Sequence, residues 1–360
     1  MKNTLILLVA LSTTLSATAQ KGLTFIETNR LWCPEVQNQQ QSGTCWCFST
    51  LSFLESEMKA AGAEDIPNLS EMFIVRYSYL DKAKKYVYMQ GNTNFSEGGF
   101  FYDNIYAMKN YGLVPESAYP NTLKKGESIY HFGFSGKMKT YLDSVADKSN
   151  KILDPKWFDI FTKKTDDFFG TVPQEFEYNG KTYTPKTFAK EVVKLNPDDY
   201  VQITSFSHHP FYQYCILELP DNWRWGQFYN VPLDDLIAVI DSSLAQGHTV
   251  VWSTDVTETG FNQSKGYAVM PRHTKVTQES RQADFETRRT TDDHGMQIIG
   301  TAKDLDGNKF YIVKNSWGDY NKFGGYLYAS EEFVRAKTTG ILVNKNVCQE
   351  ILEKQESILE

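Results

Sequence analysis

Cys45, His294 and Asn315 occur in that order along the chain, and Gln39 stands six residues ahead of the cysteine. These four side-chain types are the parts of a cysteine acyl-transfer site. A thiolate attacks a carbonyl carbon, and an imidazole takes the thiol proton and later returns one to the leaving amine, the role open to His294 in Asp292-Asp293-His294-Gly295-Met296. The imidazole has to be aimed, and the Asn315 amide can accept a hydrogen bond from one ring nitrogen and set its tautomer. Trp317, in the run Asn315-Ser316-Trp317-Gly318, would screen that bond from water. The tetrahedral intermediate carries its charge on oxygen, where the Gln39 side-chain amide and the Cys45 backbone N–H can donate. Nothing in this chemistry requires a metal or a cofactor.

Positioning falls to the elements around these residues. Phe48, Leu51, Leu54 and Met58 follow Cys45 at spacings of three and four, which predicts a helix that opens at Cys45 and ends near Gly62. The positive end of the helix dipole and a neighbouring imidazolium would both favour the thiolate there. Further helices are expected over 71–86 and 102–111, and together these make residues 20–130 a helical lobe carrying the nucleophile. A helix over 236–244, then strand-like runs at 249–253, 296–301, 309–313 and 325–329, make residues 235–345 a β-rich lobe carrying His294 and Asn315. With nucleophile and base on different lobes, the site is expected in the cleft between them.

Together these residues resemble the papain-like cysteine peptidases, and more specifically the branch of bleomycin hydrolase and bacterial aminopeptidase C. The nucleophile segment from Asn38-Gln39 through Ser42-Gly43-Thr44-Cys45-Trp46 is similar to that of the branch, whereas papain itself has a disulfide cysteine where this chain has Ser42. Leu69-Ser70-Glu71 with Tyr77 to Lys82, Glu97-Gly98-Gly99, Tyr111-Gly112-Leu113-Val114-Pro115, Asp198-Asp199-Tyr200-Val201 and Asn230-Val231-Pro232 look like branch landmarks in branch order, from about residue 30 to 345. The resemblance implies an α+β, two-lobe papain-like fold with residues 131–234 as a large insertion or hood between the lobes. It implies a peptidase that hydrolyses peptide substrates through a Cys45 thioester. Aminopeptidase or dipeptidyl-peptidase action is expected, with endopeptidase action and a catalytically silent peptide-binding relative as alternatives. Branch members are often homohexamers, so a homo-oligomer is also implied.

The same resemblance assigns Gly98 and Gly99, with Trp317, to substrate binding. Adjacent glycines ordinarily mark a turn, but they also let a substrate backbone come close enough to pair with the protein's main chain. Asp293 has two readings, a charge that stabilises the imidazolium or a solvated turn residue. Cys47 is expected to pack in the core, and His208 and His209 before Pro210 are expected to mark a loop and not a metal site. The aromatics Trp157, Phe158, Phe161, Phe168 and Phe169 suggest an extra helical layer with a small core of its own within 131–234.

Composition is that of a compact extracytoplasmic enzyme: 41% hydrophobic and 14% aromatic residues in 360, with a net charge of −7 and no basic stripe for nucleic acid. Lys2, the apolar run 5–11 and Ala17-Thr18-Ala19 match an export signal over residues 1–19, cleaved after Ala19, and no later run is long enough for a membrane span. The expected destination is the periplasm or the exterior of a bacterial cell. Five cysteines, Cys33, Cys45, Cys47, Cys215 and Cys348, leave at least one unpaired, which suits a catalytic Cys45. In the branch the final residues run into the cleft. Here residues 346–360 look similar to only the start of that tail, so more of the cleft is expected to stay open.

Overall fold

The computed structural model describes residues 23–354, apart from 123–126, 132, 148, 150 and 151. The export signal expected over 1–19 and the last residues of the tail, 355–360, lie outside the described residues. Among the described residues no helix is long and apolar enough to cross a membrane.

The centre of the molecule is α1 (Cys45–Ala60), whose residues Trp46 to Met58 are all buried. A helix buried on every side must satisfy its polar groups internally. Glu55 Oε1 accepts from the Leu69 N–H at 2.7 Å, and Glu57 takes His248 Nδ1 and Asn344 Nδ2, each at 2.8 Å. One side of α1 meets α2 (Glu71–Tyr88) and α3 (Phe101–Asn110); the other meets the sheet. Ser70 caps α2 by accepting from Phe73 N, and Asp103 Oδ2 reaches back from the first turn of α3 to the Phe100 N–H at 2.8 Å.

The stretch expected as an insertion divides in two. Its first part supplies α4 (Phe134–Val145) and α5 (Trp157–Phe169), which pack on α2. Their aromatics do not form a core of their own. Phe134 stacks on Phe168 with centroids 4.0 Å apart, Tyr79 of α2 packs edge-on to Phe134, and Phe161 and Phe169 belong to the same apolar cluster as α1 to α3. A short hairpin, β2 (Phe176–Tyr178) with β3 (Lys181–Tyr183), and the single turn α6 (Pro185–Phe188) follow.

The second part joins the large sheet. β4 (Tyr200–Thr204), β5 (Gln213–Ile216) and β6 (Gln227–Asn230) form one flank, in the order β5-β6-β4. The sheet continues through β13 (Thr338–Asn344), β7 (Val250–Thr254), β10 (His294–Asp304), β11 (Lys309–Lys314), β12 (Tyr326–Ser330), β9 (Tyr267–Ala268) and β8 (Phe261–Asn262). β1 (Phe25–Arg30), from the segment assigned by sequence to the helical lobe, also pairs antiparallel with β10. Periodicity could not place these short outer strands, because their membership depends on partners far away in sequence.

The central strands β7 and β13 are buried along their whole length. One face meets α1, and the other holds a second apolar cluster with α7 (Leu233–Ala245) and α9 (Glu331–Lys337). α8 (Gln278–Glu286) is fixed by buried Arg281, which donates to the carbonyls of Ser205, Arg335 and Thr338. After β13 the chain turns into α10 (Gln349–Leu352), which lies against β6 and α7: Tyr229 Oη donates to Ile351 O at 2.9 Å, and Lys354 reaches Asp235 at 3.1 Å.

Candidate active site

Backbone hydrogen bonds clamp the segment ahead of α1 onto the loop after β11. Gln39 N donates to Ser316 O at 2.8 Å and Gly318 N to Gln37 O at 3.1 Å, with a bridge between Asn38 and Trp317. Gln39 and Asn315 therefore share one support, although 276 positions separate them. The Gln39 side chain is oriented from both ends. Its Oε1 accepts from Ser316 Oγ at 2.7 Å, and Nε2 donates one hydrogen to Ser42 O at 2.7 Å, leaving its second hydrogen for another acceptor.

Cys45 is the first residue of α1 and is half-buried. Its sulfur takes backbone hydrogen bonds from Gly295 and Trp46, so the helix start and the start of β10 meet at the thiol. That approach requires a glycine at 295. A Cβ there would lie 2.9 Å from Ser49 Oγ and 3.3 Å from the Trp46 Cα and N.

His294 opens β10, held in register opposite Thr254 of β7. Its Nε2 is 2.7 Å from Asn315 Oδ1. The amide can be oriented from its other bonds: Oδ1 also accepts from Ser316 N at 2.7 Å, while Nδ2 donates to Gln263 Oε1 at 2.9 Å. Nε2 must then carry the proton, which makes Nδ1 the basic nitrogen. Trp317 covers the pair, its ring centroid 4.4 Å from that of the imidazole.

Enclosure pushes each of the two reacting groups toward its uncharged form. Burial raises the Cys45 thiol to about 12 despite the Gly295 and Trp46 hydrogen bonds, and lowers His294 to about 4 despite Asn315. Burial thus opposes the helix dipole and the hydrogen bonds, which favour the thiolate. Charge separation here has to come from proton transfer within the pair, where each new charge is compensated by the other.

Gly98 and Gly99 border the same region, and neither has a positive φ, so they are not required by a turn. Close packing explains them better. A Cβ on Gly99 would be 2.8 Å from the Trp46 ring and 2.9 Å from Asp103 Oδ2, and one on Gly98 would enter the Asp221 carboxylate. Lys82 Nζ donates to the Gly98 carbonyl.

Asp293 turns away from the imidazole, accepting from the N–H groups of Val256 and Thr257 and from Thr291 Oγ1. Asp292 instead accepts from Ser253 Oγ at 2.6 Å, and its charge acts on Cys45. Cys47 is fully buried and all five cysteines are unpaired. His208 and His209 lie in the loop after β4, as expected, and Glu218 brings a carboxylate to 3.1 and 3.0 Å from their Nε2 atoms, so the three could hold a metal ion. Glu218 directly follows β5, and it is the fold of that segment that brings it back to the two histidines.

Gln263, Gly295 and Ser316 were not singled out from sequence. Gly295 and Ser316 adjoin His294 and Asn315, so adjacency was a usable signal. Gln263 offered none, since it reaches Asn315 only through the β8–β9 excursion.

A family model described as the Peptidase C1-like family matches residues 167–359, more than half of the chain, and one described as the papain family cysteine protease matches residues 26–197. The chain belongs to the Peptidase C1-like family. This cysteine peptidase is 22% identical to Aminopeptidase G of Lactobacillus delbrueckii subsp. lactis, over 90% of this chain and 84% of the relative. Aminopeptidase E of Lactobacillus helveticus is 24% identical, over 95% and 87%. Among solved structures, that of pepW from Lactobacillus rhamnosis superposes with a TM-score of 0.76 at 19% identity, covering 92% of this chain and 85% of that one, which supports the papain-like α+β fold.

Proposed function

We propose that this peptidase is an aminopeptidase-type exopeptidase, acting on peptides with a free amino terminus through a thioester on Cys45. The observation that carries the catalytic assignment is the oriented chain Gln263–Asn315–His294, which leaves Nδ1 as the basic nitrogen of the residue next to Gly295, whose N–H holds the thiol. Nδ1 takes the thiol proton as Sγ attacks the substrate carbonyl carbon. The resulting oxyanion is received by the remaining Gln39 Nε2 hydrogen and the Cys45 N–H. Collapse breaks the C–N bond, and the leaving amine collects the proton from Nδ1. Water then attacks the thioester, delivering a proton to Nδ1, and the thiolate leaves and is reprotonated. Gly98, Gly99 and Trp317 line the substrate's path. The exopeptidase assignment draws its support from relatives named aminopeptidases across most of their length.

Turnover of free-amino and N-acetylated peptidyl coumarylamides by the chain lacking residues 1–19, beside its Cys45→Ala variant, tests this function. Activity confined to free-amino substrates and abolished in the variant is expected; turnover that survives Cys45→Ala refutes it. Export is part of the proposal, resting on Lys2, the apolar run 5–11 and Ala17-Thr18-Ala19. Its check is the intact mass of protein recovered outside the cytoplasm, expected to begin at Gln20.

A further inference from the structure

The loop from β5 to β6 lays an acidic side chain on the glycine wall. A Cβ built on Gly98 would lie 2.0 Å from Asp221 Oδ2 and 2.4 Å from Oδ1, so the carboxylate rests directly on that glycine. The loop is held on several sides. Asn222 bonds to Leu217 O, Gly226 O and Gly226 N at 2.9–3.1 Å, and Trp223 Nε1 donates to Asp103 Oδ2 at 3.0 Å. Asp221 itself accepts from the neutral Asn94 amide at 3.1 Å.

The neighbouring cations are otherwise engaged. Arg224 pairs with Asp81 and Asp103, Lys82 Nζ donates to the Ser96 and Gly98 carbonyls, and Lys85 Nζ donates to Trp223 O. Among the described residues Asp221 makes no ion pair, although the Lys82 charge acts on it from nearby. The Asp221 charge in turn acts on both Cys45 and Asp292, which places it within electrostatic reach of the nucleophile. A largely desolvated carboxylate without an ion-pair partner, set on Gly98 next to the glycine that packs on the Trp46 ring, is suited to a cationic group on the substrate.

We propose that Asp221 is a specificity residue of this site and receives the free α-ammonium group of the peptide substrate. The proposal rests on the aminopeptidase function stated above and adds to it the residue that demands an unblocked terminus. An acetylated terminus offers no charge and leaves the carboxylate facing an amide, so blocked peptides are rejected by the loss of a charge-assisted hydrogen bond. Asp292 adds a second negative charge to the same field without making the contact.

The test compares wild type, Asp221→Asn and Asp221→Glu on alanyl and alanyl-alanyl coumarylamides and their N-acetylated forms, with thermal melting as the control for folding. Asparagine keeps the Oδ1 acceptor for Asn94 and removes the charge; glutamate keeps the charge. The ratio of kcat/KM for free-amino over acetylated substrates is expected to fall about 10- to 100-fold in Asp221→Asn, the range of one charge-assisted hydrogen bond, and to be largely retained in Asp221→Glu. A wild-type preference for free-amino substrates that survives in Asp221→Asn overturns the proposal and leaves the aminopeptidase function standing. Equal wild-type turnover of acetylated substrates, or turnover of none, overturns that function and the proposal with it.

Discussion

Replacing Gly295 with alanine should separate the two halves of the catalytic pair without touching either. The added Cβ would lie 2.9 Å from Ser49 Oγ, about 0.5 Å inside the 3.4 Å at which ordinary contact begins, and 3.3 Å from two backbone atoms of Trp46. Because α1 is packed on its other side by α2 and α3, β10 has to give way, carrying His294 and the Gly295 N–H away from the thiol. Misplacements on the order of 1 Å cost up to about 100-fold in rate, so a shift of half that size should lower kcat/KM by about 10-fold, or about 1.4 kcal/mol of transition-state stabilisation. Overpacking should also cost about 1–3 kcal/mol of stability. Ser49 is the hydroxyl nearest the new methyl, and its own bonds are to helix carbonyls of Cys45 and Trp46, so Ser49→Ala should be nearly silent alone. In the double variant only the 3.3 Å contacts remain, and much of the activity should return. The assay is kcat/KM on a free-amino coumarylamide for all four members of the cycle. Wild-type kcat/KM in Gly295→Ala, or strict additivity of the two changes, would refute the reasoning.

Three further outcomes follow from the same geometry. Gln263→Leu leaves the buried Asn315 Nδ2 without its acceptor, an expected cost of about 1–3 kcal/mol; kcat should fall about 10-fold with KM little changed, and Gln263→Glu, which keeps the acceptor, should recover most of it. Asp292 is raised to about 7 by burial first and then by the Asp221 charge, so it becomes anionic as pH rises through that value; kcat/KM on free-amino substrates should climb across the same range, and Asp292→Asn should flatten the climb. Glu55 and Glu71 are raised by burial to about 8 and about 7, so the folded state holds their protons more tightly; the stability they contribute is full below the ordinary carboxylate range and is lost as pH rises through those values. Glu55→Gln should therefore reduce the decline of urea midpoint between acidic and weakly alkaline pH, and an unchanged decline would exclude Glu55 as its source.

Particular residues show why some of this was legible from sequence and some was not. The α1 boundary was readable because apolar spacing and Gly62 are local signals, and the structure ends that helix at Ala60. The order Gln39, Cys45, His294, Asn315 was readable because each residue sits in a short run whose chemistry is specific. The shared core of α4 and α5 with α2 was not readable, since aromatic content says that rings are buried and not against what. Nor was the placement of β1 and of β4 to β6, whose strand pairing is settled by distant partners.

Sequence by itself determined the reaction: thiol, imidazole, amide and oxyanion donors are properties of residue type and order. Tertiary structure alone decided how those groups are poised. Gln263 orients Asn315, Gly295 lets β10 touch α1, and burial sets the thiol and imidazole against charge, because hydrogen-bond partners and desolvation are properties of neighbours brought together from distant parts of the chain. Asp221 belongs to the same class, an ordinary aspartate in a loop until the fold sets it on Gly98 with its charge acting on Cys45.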